Sequence, residues 1–192
     1  MSNAEKVTTK KTFEDWQALP EKPKTELVEG IFVFMASPSP WHCELQGKLF
    51  RITDTAAEEE QKEGKNKGWR ILPEAGVYYD LYNIFQHDLA GWRVETMPKL
   101  PPKSPIHIRP DWVCEILSTN RSRDTVLKRR VLHRFGVPYY WLVDTAHAEI
   151  SVYKLGSEDY ILLDVIPLDQ ELACLPPFLG EIKLNLPVDF GE

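Results

Sequence analysis

Two acids interrupt an otherwise apolar run, Pro110-Asp111-Trp112-Val113-Cys114-Glu115-Ile116-Leu117-Ser118. Val113, Cys114, Ile116 and Leu117 read as a buried strand. Asp111 and Glu115 stand four residues apart, and strand side chains alternate with period two, so both are expected on one face. A carboxylate inside an apolar strand is costly unless it is paired or holds a cation. Two on one face also repel each other, and a divalent metal would answer both problems. The following charged segment offers Lys128, with Asp124 one helical turn before it. Two acids and a lysine on adjoining elements point to metal-assisted phosphoryl chemistry.

These residues need a scaffold, and hydrophobic periodicity supplies one. Phe13 to Leu19 reads as a short helix closed by Pro20 and Pro23. Thr25 to Met35 reads as a strand pair turning at Glu29-Gly30. Ser39 and Pro40 fit the N-cap and first position of a helix running from Trp41 to about Ala57. Its buried stripe is Trp41, Leu45, Leu49, Ile52 and Ala56, with His42 and Gln46 on a neighbouring edge. Glu58 to Gly68 reads as a solvated helix end or loop.

Trp69 to Asp80 is a strand region broken by Pro73, Tyr82 to Gln86 a connection, and His87 to Glu95 a strand with Asp88 at its beginning. The proline-rich Pro98 to Pro105 is an extended loop or arm. Strands Ile106 to Ser118 and Tyr139 to Asp144 flank a basic helix, Ser122 to Phe135, with Leu127, Val131 and Phe135 on one side and Gly136 at its end. Short strands follow at Ala148 to Leu155, Tyr160 to Ile166 and Glu181 to Leu186. The order predicts an α/β fold with a mixed central β-sheet flanked by helices and additional N- and C-terminal strands. The 192 residues fit an N-terminal extension, 1–24, and a single domain, 25–192.

Composition narrows the function classes. A chain that is 43% apolar with six Trp is globular, and no apolar run approaches the roughly 20 residues of a membrane span. The N-terminus does not resemble a signal peptide. Cys43, Cys114 and Cys174 share no metal-ligand spacing and predict reduced thiols in a cytoplasm. The net charge of −6 lowers the prior for a nucleic-acid binder. The basic residues are concentrated, however: Arg121, Arg123, Lys128, Arg129, Arg130 and Arg134 lie within one short window, and a basic helix there can meet a phosphate backbone locally.

Several segments in order resemble the Uma-type restriction endonuclease family of the PD-(D/E)XK nuclease superfamily. They are Glu26-Leu27-Val28-Glu29-Gly30, Ser37-Pro38-Ser39-Pro40-Trp41-His42, Asp88-Leu89-Ala90-Gly91-Trp92-Arg93, the Pro110 to Ser118 run, Asp124 with Lys128, and Gly136 to Asp144. The resemblance covers roughly Leu27 to Leu155. It implies a restriction-endonuclease-like core with metal-site carboxylates at Asp88 and Glu115. The superfamily lysine normally lies two residues after the glutamate, where this chain has Leu117; the family pattern maps it to Lys128 instead. His87 replaces the proline of the "PD" half.

That resemblance implies a DNA endonuclease. Asp88 and Glu115 would hold Mg²⁺, with Mn²⁺ able to substitute, and Asp111 would be a further ligand or an outer partner. Lys128 would orient or help deprotonate the attacking water. Glu29 and His42 would face the cleft, and Arg121, Arg123, Arg129 and Arg130 would hold the DNA backbone. A homodimer would suit the two strands of a duplex, and no membrane or small-molecule cofactor is expected.

Duller accounts exist for each residue. Glu115 could be a buried ion pair with Lys128, Asp88 a strand-initial acid, Asp111 a loop closure, and Lys128 a surface lysine paired with Asp124. Glu29 could be a turn residue, His42 a satisfied helix histidine and Glu74 a solvated acid. The competing function class is a catalytically degenerate nuclease-fold module that binds nucleic acid or protein. The missing lysine and the acidic net charge motivate it.

Overall fold

The structure is a computed structural model that describes residues 9–117 and 122–186. A capping box between Thr12 and Asp15 starts α1 (Phe13–Gln17). Glu29 and Gly30 both take positive φ, 51° and 82°, as a tight two-residue hairpin turn requires. They join β1 (Thr25–Val28) to β2 (Ile31–Phe34) in antiparallel register. Ser39 accepts the His42 backbone N–H and Pro40 occupies the first turn of α2 (Pro40–Lys62).

The helix continues past Ala57 through the acidic stretch, whose Glu, Gln and Lys residues are strong helix formers. Glu60 is buried there and accepts hydrogen bonds from Asn66 and from the Leu179 backbone. The buried stripe is also rotated from the expected one, comprising Leu45, Gln46, Leu49, Thr53, Ala57 and Glu60.

A hairpin joins β3 (Trp69–Asp80) to β4 (Asn83–Arg93). Asp80 Oδ1 accepts from Tyr82 N and Asn83 Nδ2 at 2.8 Å each, which closes the turn at Leu81-Tyr82. The expected connection at Tyr82 to Gln86 is therefore mostly strand, and Asp88 lies inside β4 rather than at its start. Strand β5 (Trp112–Leu117) begins later than expected, while Ile106 makes only an isolated bridge to Val77. Helix α3 (Ser122–Arg134) then crosses over to β6 (Tyr139–Asp144), which pairs parallel with β5.

Strands β7 (Glu149–Leu155) and β8 (Tyr160–Pro167) extend the sheet antiparallel. Short β9 (Ala173–Cys174) and β10 (Glu181–Ile182) pair separately. Among the described residues the main sheet runs β2-β1-β4-β5-β6-β7-β8, with β3 also paired to β4. One apolar cluster joins Leu45, Leu49 and Ala57 of α2 to Trp112, Cys114, Ile116 and Trp141. The other joins Val131 and Leu132 of α3 to Phe85, Val113, Tyr140 and Trp92. The sheet is thus covered on both faces, as a central parallel pair demands.

Two irregularities create the site. First, β3 and β4 change phase at one level. Ile71 and Leu89 belong to the α2-side cluster, whereas Ala75, Val77, Tyr79 and Phe85 belong to the α3 side. The switch falls at Pro73-Glu74, where Glu74 has φ 51°; a side chain at positive φ is uncommon and marks a strained position. Second, one edge of β4 is shared. It pairs with β1 at Ile84 and with β5 at Leu89 to Gly91, so residues between them face a fork.

Candidate metal centre at the strand fork

Carboxylates fill the fork. Glu26 of β1 accepts the Gln86 backbone N–H at 2.8 Å, and Asp88 Oδ2 accepts the Ile116 N–H at 2.7 Å. The side chains satisfy backbone donors that the split ladder leaves unpaired. The remaining Asp88 oxygen, Oδ1, lies 3.0 Å from His42 Nε2 in the first turn of α2. One helical turn on, Gln46 Nε2 donates to Glu74 Oε1 at 3.0 Å and to the Asp88 carbonyl at 2.8 Å. The positive φ of Glu74 turns its carboxylate toward this helix, and the Gln86 side chain donates to the Glu74 carbonyl.

The result is a cluster in which His42, Glu74 and Asp88 each offer a donor atom within 4.8 Å of the others. It opens into a cleft of about 810 Å³ lined also by Lys22, Lys24 and Ser37 to Ser39. Lys24 Nζ sits 2.7 Å from Glu74 Oε2. Burial pushes the Glu74 carboxyl up, but the hydrogen bonds from Lys24 and Gln46, with the Lys24 charge, outweigh it and hold the group below the ordinary range.

A second charged group lies toward α3. Glu115 Oε1 is 2.5 Å from His87 Nδ1, and His87 Nε2 is 2.8 Å from the Tyr79 hydroxyl. Lys128 Nζ stands 2.7 Å from Glu26 Oε1 and 3.6 Å from Glu115 Oε2. Burial alone would lower the Lys128 ammonium's pKa; the charges of Glu115 and Glu26 reverse that and keep it raised. One ammonium shared by two acids cannot fully satisfy both. Burial and the Glu115 charge therefore raise Glu26, with Lys128 only partly offsetting them.

A family model described as "Uma2: Putative restriction endonuclease" matches residues 11–188. The chain belongs to the Uma2 family. A solved structure described as a "putative nuclease belonging to DUF820 from Anabaena variabilis ATCC 29413" is 22% identical. It superimposes with a TM-score of 0.68 over 87% of this chain and 90% of that one. No curated protein matches. The Uma2 chain thus has the nuclease-superfamily fold that its sequence motifs implied, a mixed sheet between helices.

Within this Uma2 chain, Asp88 and His42 converge and Glu74 joins them. Glu115 and Lys128 meet each other in the neighbouring charged group. Asp111 stands at the strand end, where its Oδ2 accepts the Arg93 backbone N–H at 2.8 Å and Arg109 lies 3.9 Å from Oδ1. Glu29 occupies the β1–β2 turn and pairs with Arg134 at 3.1 Å. Arg129 pairs with Asp159 at 2.7 Å and stacks over Tyr153, while Arg130 is exposed. Arg121 and the side chains of Arg123 and Asp124 lie outside the described residues.

Sequence reasoning undervalued Glu74 and passed over Gln46, Glu26 and His87. Gln46 carried a signal, since it follows His42 at i, i+4 on one helix face. Glu26 opens the same family segment as Glu29 and is the buried one of the two. Glu74 follows a proline, but no local pattern announces its left-handed backbone.

Proposed function

We propose that this protein is a metal-dependent nuclease that hydrolyses phosphodiester bonds of DNA. The observation that carries the reading is the convergence of His42, Glu74 and Asp88 at the mouth of a cleft on a nuclease-superfamily core. Two carboxylates and an imidazole suit Mg²⁺ or Mn²⁺, the nitrogen donor favouring Mn²⁺. A divalent cation held by His42, Glu74 and Asp88 would supply charge to the phosphoryl oxygens and a more acidic water.

The chain's own residues do the rest. Gln46 fixes Glu74 against Asp88, and the Ile116 N–H fixes the second Asp88 oxygen, so the donors are oriented in advance. Glu115, Lys128, Glu26 and His87 act as positioning residues that hold the two sides of the fork together. Lys128 is buried and kept protonated by its two acids, so electrostatic support suits it better than removing a proton from water. Cationic Lys22 and Lys24 line the approach to the metal site, and Arg130 lies exposed on α3.

Supercoiled plasmid incubated with Mg²⁺ or Mn²⁺ tests the reading, alongside Mn²⁺ titration calorimetry. Asp88→Asn is expected to lose both cleavage and ion binding. A wild type that binds no Mn²⁺ and nicks no DNA would end it, leaving the degenerate module. The proposal extends to a homodimer. Its support is β8, the last strand of the sheet, whose Ile161, Leu162, Leu163 and Val165 are exposed. Sedimentation velocity should show a dimer, and Leu163→Lys a monomer.

A further inference from the structure

We propose that Lys24, rather than Lys128, is the ammonium group that meets the scissile phosphate, and that it rests on Glu74 until a divalent cation takes that carboxylate. The inference rests on the nuclease reading above and deepens it.

The superfamily's usual lysine position is filled by Leu117, and the two candidate replacements are placed very differently. Lys128 is enclosed, its side chain 7% exposed, with Glu26 and Glu115 as partners. Moving it to a substrate would take their shared counter-charge from two buried acids, which is strongly unfavourable. Lys24 is 57% exposed, lines the cleft beside His42, Glu74 and Asp88, and has one carboxylate partner at 2.7 Å. An exposed pair of this kind is weak and readily exchanged.

The backbone below Lys24 is nonetheless fixed. Its carbonyl accepts the Met35 N–H at 2.9 Å, and the next carbonyl, Thr25, accepts the Trp16 indole N–H at 2.6 Å. A flexible four-carbon stem thus projects from an anchored base into the cleft.

Charge balance supplies the switch. Before a metal ion arrives, Lys24 offsets Glu74 and His42 contacts Asp88. A divalent cation held by Glu74 and Asp88 would offset their charge and repel the ammonium. Lys24 would then turn to the nearest anion, a substrate phosphate in the same cleft. It contributes charge there and transfers no proton.

The test compares wild type with Lys24→Met, Lys24→Arg and Lys62→Met. Circular dichroism melts check folding, which an exposed substitution should leave intact. Mn²⁺ calorimetry without DNA should show severalfold tighter binding by Lys24→Met, because a competitor for Glu74 is gone. Lys62→Met, an exposed change at the far end of α2, should keep the wild-type affinity for the ion. With Ca²⁺ in place of Mn²⁺, Lys24→Met should bind duplex DNA less tightly and lower the salt slope by about one unit, for one lost phosphate contact. Cleavage in Mn²⁺ should fall by roughly 100-fold and recover partly in Lys24→Arg.

Unchanged or weaker Mn²⁺ binding by Lys24→Met, with a wild type that binds and cuts, would overturn the role of Lys24 and leave the nuclease reading standing. Equal DNA binding and salt slope in wild type and Lys24→Met would also overturn it. A wild type that binds no Mn²⁺ would remove both.

Discussion

Lys128 occupies a place on α3 where the helix would otherwise bury an apolar side chain, between the level of Val131 and Leu132 and the fork. Its ammonium is the shared counter-charge for Glu26 and Glu115. Lys128→Met keeps the stem's volume and removes the ammonium that Glu26 and Glu115 share. Chemical denaturation should show a loss of about 3–5 kcal/mol. Adding Glu26→Gln should restore part of that loss, since the second change removes one of the buried charges.

Glu74 gives a pH signature at the same scale. Its folded pKa lies below the ordinary value, so the carboxylate form stabilises the fold. That contribution is complete above the unfolded value and is lost as pH falls through the depressed folded one. Thermal melts across the acid range should therefore show wild type losing its advantage over Glu74→Gln as the pH drops through the carboxylate region.

At the scale of elements, the phase change in β3 and the fork on β4 matter most. At Pro73, β3 faces Leu89 of β4, and its bridge to a second neighbour lies further along, at Val77 with Ile106, so Pro73 costs no described ladder bond on that other edge. The left-handed backbone at Glu74 turns an acid toward α2 that would point elsewhere in a regular strand. Glu74→Gly relieves the backbone strain while deleting the donor. It is expected to shift the melting temperature little and to abolish the Mn²⁺ titration signal, as strain stored at a functional site should.

Gly91, where β4 pairs with β5, has an opposite sensitivity. A Cβ there would come within 2.9 Å of Trp112 Cε3 and 3.4 Å of Trp69. Gly91→Ala should cost about 1–3 kcal/mol in denaturant melts, because the buried Trp112 ring has no room to move.

For the whole molecule, most of the architecture was legible in local patterns. The Ser39-Pro40 cap, the Glu29-Gly30 turn and the alternation around Glu115 each act over a few neighbouring residues. They defined the elements and their order, and with the family segments the α/β nuclease-superfamily fold. Boundaries slipped where a charged sequence could extend a helix, as at Glu58 to Lys62, or where a turn was tighter than its composition implied, as at Leu81-Tyr82. Among the described residues no helix is long and apolar enough to cross a membrane.

The sequence by itself determined that Glu115 would be an acid buried within a strand, from the periodicity of its own segment, with Asp111 buried just before that strand. The tertiary structure alone decided which groups share a site. His42, Glu74 and Asp88 belong to α2, β3 and β4, and they meet because one left-handed residue changes a strand's phase and one strand's edge is divided between two partners. It also decided that Lys128 is enclosed between acids while Lys24 lies at the cleft. Periodicity describes a residue against its own backbone; the distance between charges on separate segments depends on how the sheet splits.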